Sequence, residues 1–200
     1  MSSKNMWSLK FTTASLVLIP AAVGINYIGK IIASALKLPL WLDAIGTSLA
    51  SILAGPVIGA ISGAVNNVIY GLTADPVSFI YALTSIAIGI TVGVMAHKGW
   101  MENIGKAIVT GLVVALVSAV VSTPLNIGFW GGQTGNLWGD ALFAYLSGIG
   151  FPTFIASFLD ELVVDLPDKV ATVLVAFLIF KGLPKKLTHL YDNTGEIERL

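Results

Sequence analysis

Cysteine is absent from this chain, which removes disulfides, thiolate metal sites and cysteine nucleophiles from consideration. Histidine is nearly absent. His97 and His189 are the only two, far apart and without a carboxylate at ligand spacing, so neither zinc binding nor general-base catalysis finds support. Charge is scarce as well: 11% of residues are charged, against roughly a quarter in soluble domains. Lys and Arg number 11 and so do Asp and Glu, and a balanced chain projects no overall field toward nucleic acid. No nucleotide-binding loop and no G-x-S-x-G nucleophile elbow occur. The expectation is a chain that is not an enzyme, needs no cofactor or metal and cannot hydrolyse ATP by itself.

What is present is apolar. Hydrophobic residues make up 56% of 200 positions and the mean hydropathy is +0.87, values that call for lipid as solvent. The apolar runs are long and continuous, which favours helices over the short alternating strands of a membrane barrel. The 21 glycines and eight prolines are tolerated in membrane helices, where neighbouring helices satisfy freed backbone groups.

The fold expected is an all-α membrane protein, a six-helix transmembrane bundle with short helices and a long outer connection before the last helix. Its spans fall at about 11–35, 44–54, 56–72, 77–96, 107–122 and 170–183. The run after Lys4 and Lys10 could pass for a signal peptide but is as long as a span and lacks a clean cleavage site. Asp43 is placed as N-cap of the second helix, Gly55-Pro56 divides the second from the third, and Pro167 opens the last. At about 1.5 Å per residue the second and third helices fall short of the roughly 30 Å hydrocarbon core. Residues 124–140 form the long connection, and 138–161, interrupted by Gly148, Gly150 and Pro152, is assigned to the outer side without spanning. Residues 184–200 form a cytoplasmic tail.

Orientation follows from the basic residues. Six spans with an inside N-terminus put Lys4, Lys10, Lys98, Lys106, Lys181, Lys185, Lys186 and Arg199 inside, and only Lys30, Lys37 and Lys169 outside, as the positive-inside rule requires. A seventh crossing through 138–161 would move Lys181, Lys185 and Lys186 outward. The protein is thus expected in the cell membrane, multi-pass, with both termini cytoplasmic. Asp43, Asp75, Asp140, Asp160, Glu161, Asp165 and Asp168 then fall on the outer face.

Candidate binding residues cluster toward that face. Asn66 and Asn67 lie near mid-depth of the third helix, where an amide is costly unless it faces the bundle; helix–helix hydrogen bonding and solute binding both account for them. Gly55, Gly59 and Gly63 recur every four residues and suit close packing. Asn126, Trp130, Gln133, Asn136 and Trp138 combine flat apolar faces with amides, suited to holding a heteroaromatic ring. Trp130, beside glycines, reads as part of a mobile lid, and Trp138 as an interface aromatic. The acids Asp160, Glu161, Asp165 and Asp168 read as solvated groups at the N-terminus of the last helix, and Lys169 as a local ion pair with Asp168.

Two passages carry a family likeness. Leu42-Asp43-Ala44-Ile45-Gly46-Thr47 running into Ala54-Gly55-Pro56-Val57-Ile58-Gly59-Ala60, and Asp165-Leu166-Pro167-Asp168-Lys169-Val170, resemble segments of the substrate-binding S component of energy-coupling factor (ECF) vitamin importers. The likeness runs up to about Pro184. It implies binding of a vitamin-like micronutrient from outside, docking on a transmembrane coupling subunit, toppling in the bilayer, and two ATPase subunits as the energy source. It also implies binding roles for Trp41, Asn67, Tyr81, Asn126, Trp130 and Asp168. The family docks through an alanine-x-x-x-alanine surface on its first helix; Thr13 to Ala22 here holds small residues without a strict repeat, and Pro20 predicts a kink. A LytS-like membrane sensor is the rival from another class, although only a short tail follows Pro184. A stand-alone secondary transporter is the third reading, against which stand the lack of an inverted repeat and of an evident buried acid pair.

Overall fold

The computed structural model describes residues 12–192. Lys4, Lys10 and Arg199, expected inside, lie outside the described residues. Those residues form eight helices and no strand: α1 (Thr13–Ala35), α2 (Ile45–Ala54), α3 (Pro56–Thr73), α4 (Ala82–His97), α5 (Ile104–Trp130), α6 (Leu137–Gly148), α7 (Thr153–Gly182) and α8 (Lys185–Asp192), with a 3₁₀ turn at Pro76–Phe79. The molecule is therefore an all-helical bundle. α1 and α5 are long and apolar enough to cross a membrane by length and composition.

Polar and apolar residues are distributed inside out. Asn26, Asn66, Asn67, Asn126, Thr47, Thr110, Thr123 and Thr172 are among the largest fully buried side chains, while Val17, Ile28, Leu72, Leu83, Val120 and Leu178 are exposed. A soluble bundle would reverse this, because water rewards burial of the aliphatic set. Inside, amides and hydroxyls tie helix to helix. Asn26 of α1 donates from Nδ2 to Thr47 Oγ1 at 2.8 Å, and its Oδ1 accepts from the Gly46 N–H at 2.7 Å. This amide thus satisfies orphan donors at the start of α2, whose own N-cap residue, Ala44, supplies no side-chain bond. Ser51 of α2 reaches the Gly89 carbonyl of α4 at 2.9 Å, and Thr84 of α4 pairs with Ser122 of α5 at 2.9 Å. Close backbone approach makes these bonds reachable: a Cβ on Gly89 would stand 2.5 Å from the Ala60 nitrogen of α3.

Three expectations are corrected. The helix expected over 107–122 is α5, which runs from Ile104 through Pro124 to Trp130, where Gly131 (φ 67°) ends it. The expected connection of 124–140 shrinks to residues 131–136. Likewise α7 begins at Thr153 and passes through Pro167, so Pro167 interrupts a helix where it was expected to open one. Residues 138–161 are α6, a turn containing Gly150 (φ 91°), and the start of α7. In each case a proline forfeits one backbone bond, a loss that a bundle compensates when neighbouring helices hold the segment straight. Asp43 is the third correction: it lies outside the cap of α2, and its carboxylate stands 3.9 Å from Lys30 and 3.8 Å from Lys169.

The chain alternates direction, so the ends of α1, α3 and α5 and the starts of α2, α4 and α7 gather at one end of the bundle. The opposite end carries Lys98, Lys106, Lys181 and α8, whose Tyr191 packs against the Leu18–Ala22–Ala50–Ile58 cluster.

Candidate functional site

At the end where α1, α3 and α5 finish, the helices leave a chamber between them. Its wall comprises Lys30 of α1, Trp41 and Asp43 of the first loop, Ser78 and Tyr81 of the turn before α4, Thr84 and Ser85 of α4, Ser118 and Ser122 of α5, Thr134, and Glu161, Asp165 and Lys169 of α7. Room for the centres of water molecules amounts to about 90 Å³, within about 590 Å³ of unfilled space that includes the mouth. A wider vestibule of about 420 Å³ adjoins it, sharing Lys30, Trp41 and Asp75 and bounded by Lys37, Tyr70, Asn136 and Trp138.

One face of α7 supplies the charged floor. Glu161, Asp165 and Lys169 follow at four-residue intervals, which stacks them on one side of a helix. Asp160, Asp165 and Asp168 are 0% exposed, Lys169 3% and Glu161 5%. This overturns the expectation of a solvated acidic cap, because the helix continues past Pro167 and carries these groups into the bundle. Lys169 is expected to pair locally with Asp168 and does so at 2.6 Å, but its ammonium also lies 3.3 Å from Asp165 and 3.8 Å from Asp43. Its contact with Asp165 is an ion pair between two buried side chains. Glu161 and Asp165, one turn apart and both buried, are also the acid pair that the sequence did not reveal.

Asp168 organises the first loop. Its Oδ1 accepts from the backbone N–H of Trp41 at 3.0 Å and of Leu42 at 2.8 Å, and its Oδ2 from Lys169. Leu42 adopts a left-handed backbone (φ 52°), a conformation that costs a side-chain-bearing residue on the order of 1–3 kcal/mol and persists only where its surroundings hold it. The two bonds to Asp168 supply that hold and set Trp41 in the chamber wall.

On the other flank, Tyr81 donates its hydroxyl to Asn126 Oδ1 at 2.6 Å, and Asn126 donates from Nδ2 to Glu161 Oε2 at 3.0 Å. Trp130 is 40% exposed at the end of α5. The 131–136 loop is fastened from below: Asp140 Oδ1 accepts from the Thr134 N–H at 2.9 Å, and Asp160 Oδ1 from the Thr134 hydroxyl at 3.1 Å.

The nine residues singled out in the sequence thus occupy different positions. Trp41 and Tyr81 line the chamber and Asn136 the vestibule, where its side chain caps α6. Asn126 and Asp168 stand behind the wall and orient groups in it, while Trp130 is exposed at the end of α5 and borders neither space. Asn67 is buried, donating to Ser85 Oγ at 2.5 Å and to the Gly63 carbonyl at 3.1 Å, so it bonds helix to helix one layer behind the chamber. Asn66 is buried with an unpartnered Oδ1 and outside the lining. Gln133 is exposed and borders neither space. Lys30, Glu161, Asp165 and Lys169 were not singled out as binding residues. For the three on α7 the signal was the four-residue spacing, legible once Pro167 is allowed inside a helix; nothing in the sequence marks Lys30 of α1.

Among the described residues, no three His, Asp or Glu side chains are grouped so as to hold a metal ion. Comparison with known proteins returns no matching family model, no matching curated protein and no matching solved structure.

Proposed function

We propose that this chain is a multi-pass membrane protein that binds a small ring-bearing solute from the outer side and delivers it inward as the S component of an ATP-driven ECF importer. The observation that carries the reading is the chamber: a buried, charged and hydroxyl-lined space at one end of an otherwise apolar-surfaced helix bundle, under a loop clamped by Asp168. Polar groups at such depth are expensive in lipid and mark solute pathways. In the proposed topology α1, α2, α3, α4, α5 and α7 cross, while α6 and the first turns of α7 stay on the outer side. Lys98, Lys106, Lys181, Lys185 and Lys186 at the end opposite the chamber suit a cytoplasmic location.

The vitamin class, the coupling subunit and the two ATPases enter through the sequence likeness. The proposed docking face is the groove of α1 around Pro20, Val23 and Gly24, completed by Val65 and Ile69 of α3. A Cβ on Gly24 would meet nothing within 4 Å, so Gly24→Leu fills the groove without disturbing the fold. The expected result is solute binding unchanged and uptake lost; unchanged uptake would place docking elsewhere.

A second reading, the stand-alone secondary transporter, is favoured by one observation, the buried Glu161–Asp165 pair beside the chamber. Reconstitution in liposomes separates the two. Uptake that requires ATP and partner subunits supports the importer, whereas uptake by the isolated chain under an ion gradient supports the secondary transporter. Mass spectrometry of what co-purifies with the detergent-extracted protein names the solute.

A further inference from the structure

Glu161 is held by one oxygen and offers the other. Its Oε2 accepts from Asn126, which Tyr81 fixes in turn. Through this relay the carboxylate is oriented by α5 and by the turn before α4, and swinging it away would break the bond from Asn126 and leave that amide's Nδ2 without its acceptor. Among the described residues no donor reaches Oε1, and Glu161 lines the chamber although it is 5% exposed. A carboxylate oxygen in that setting costs free energy until something donates to it.

The charges around it point one way. The carboxyls of Asp43, Asp75, Glu161, Asp165 and Asp168 outnumber the ammoniums of Lys30 and Lys169 by five to two. Both lysines are engaged elsewhere. Lys169 faces three acids, and Lys30 donates to Ser78 at 3.0 Å, lies 3.9 Å from Asp43 and covers the Tyr70 ring at 4.3 Å. Glu161 stands two helical turns from Lys169, about 12 Å along the axis. An anionic solute would add to the surplus of negative charge, and a neutral ring without a strong donor would leave Oε1 bare. A flat cation satisfies the geometry, with its donor on Oε1, its charge offsetting the surplus, and its ring against Trp41 and Tyr81, whose faces attract positive charge.

We propose that the chamber selects an organic cation, a ring bearing an amine or amidine, and that Glu161 is the residue that holds its positive end. The inference rests on the solute-binding reading above and narrows it to one class of solute.

Three compounds of nearly equal size and shape test it: benzamidine, benzamide and benzoate carry positive, neutral and negative charge on the same ring. Titration of each into the full chain in detergent, by calorimetry or by thermal stabilisation, reads the preference directly. Benzamidine is expected to bind at least about tenfold tighter than benzamide, the advantage a charge-assisted hydrogen bond confers, and benzoate weakest. Glu161→Gln, which retains an acceptor for Asn126, should abolish the preference for benzamidine while leaving benzamide binding in place. Equal binding of benzamidine and benzamide, preference for benzoate, no binding of any of the three, or a preference that survives Glu161→Gln overturns the inference; the wild-type series stands even if the variant fails to fold. The importer reading fails separately. ATP-dependent uptake of a neutral or anionic solute would sink the cation assignment alone, and benzamidine preference in a chain driven by an ion gradient would sink the importer alone.

Discussion

Asp165–Lys169 and Glu102–Lys106 are two ion pairs of one spacing and one polarity, acid four residues before lysine, at opposite ends of the same bundle. The Glu102 pair is the shorter, 2.6 Å against 3.3 Å, with a lysine 40% exposed and an acid 67% exposed, whereas both side chains of the other pair are almost wholly buried. Proximity is therefore a poor guide to what each does. Water and salt screen the Glu102 pair, so it contributes little to holding the fold. Lys169 is almost wholly buried, three carboxylates share its one ammonium, and removing that ammonium leaves uncompensated charge inside the bundle. The exposed pair finishes a helix terminus; the buried one shapes a chamber and fastens the loop above it.

The largest effect should follow from removing the shared ammonium. Lys169→Met keeps the apolar length of the side chain and strands Asp43, Asp165 and Asp168 together, an expected loss of about 3–5 kcal/mol, measurable as a fall in the thermal midpoint in detergent. Lys106→Met at the other end should leave the midpoint unchanged. Equal effects would mean that the buried cluster is hydrated and the contrast between the two ends false.

Next in size is Asp168→Ala, which removes the acceptor for the Trp41 and Leu42 amides. Charge-assisted bonds of this kind are worth about 1.5–3 kcal/mol each, part of which returns when the left-handed Leu42 relaxes. Hydrogen exchange provides the check: the Trp41 and Leu42 amides should lose protection while amides of the 98–103 turn at the far end keep theirs. If protection persists at Trp41, Asp168 is not the clamp.

The second and third helices were legible almost to the residue, whereas the helix expected over 77–96 starts only at Ala82, after a 3₁₀ turn. Expected spans of 44–54 and 56–72 meet helices Ile45–Ala54 and Pro56–Thr73, because Gly55-Pro56 is a true boundary, with Gly55 at φ 88° and Pro56 in the first turn, where its missing N–H costs nothing. The second half misled through the same residue type. Pro124 and Pro167 lie inside helices, and nothing local distinguishes a proline that opens a helix from one that a bundle holds in its interior. That error carried into the site. With Pro167 read as a start, Glu161, Asp165 and Lys169 had no common face; with α7 continuous they line one wall of the chamber. Binding roles for Trp41 and Tyr81 came from the family likeness and not from a local pattern, and both line the chamber; Asn67, for which helix–helix bonding and solute binding were both open, bonds Ser85.

A third test exchanges tryptophans instead of charges. Trp41 and Trp100 are each half-buried in a loop, one at either end, so truncating either to alanine should cost comparable stability. Only Trp41 borders the chamber. Trp41→Ala should weaken binding of the co-purifying solute by about tenfold, the order of one lost aromatic contact, with Trp100→Ala indistinguishable from wild type. A loss of affinity in both would locate the solute elsewhere.

The smallest effect belongs to Glu102. Its carboxyl is held below the ordinary range, first by the hydrogen bond from Lys106 and then by that ammonium's charge. A depressed carboxylate lends stability that is present above its unfolded pKa and fades as pH falls through the folded value, so whatever it contributes is complete at neutral pH and disappears in acid. Because the side chain is 67% exposed, that contribution should vanish into salt: Glu102→Gln and wild type should show superimposable melting curves at pH 7 in moderate salt and at pH 3 alike. A salt-resistant difference at pH 7 would show that the Glu102 end of the bundle is shielded from water after all, and that burial does not separate the two ion pairs.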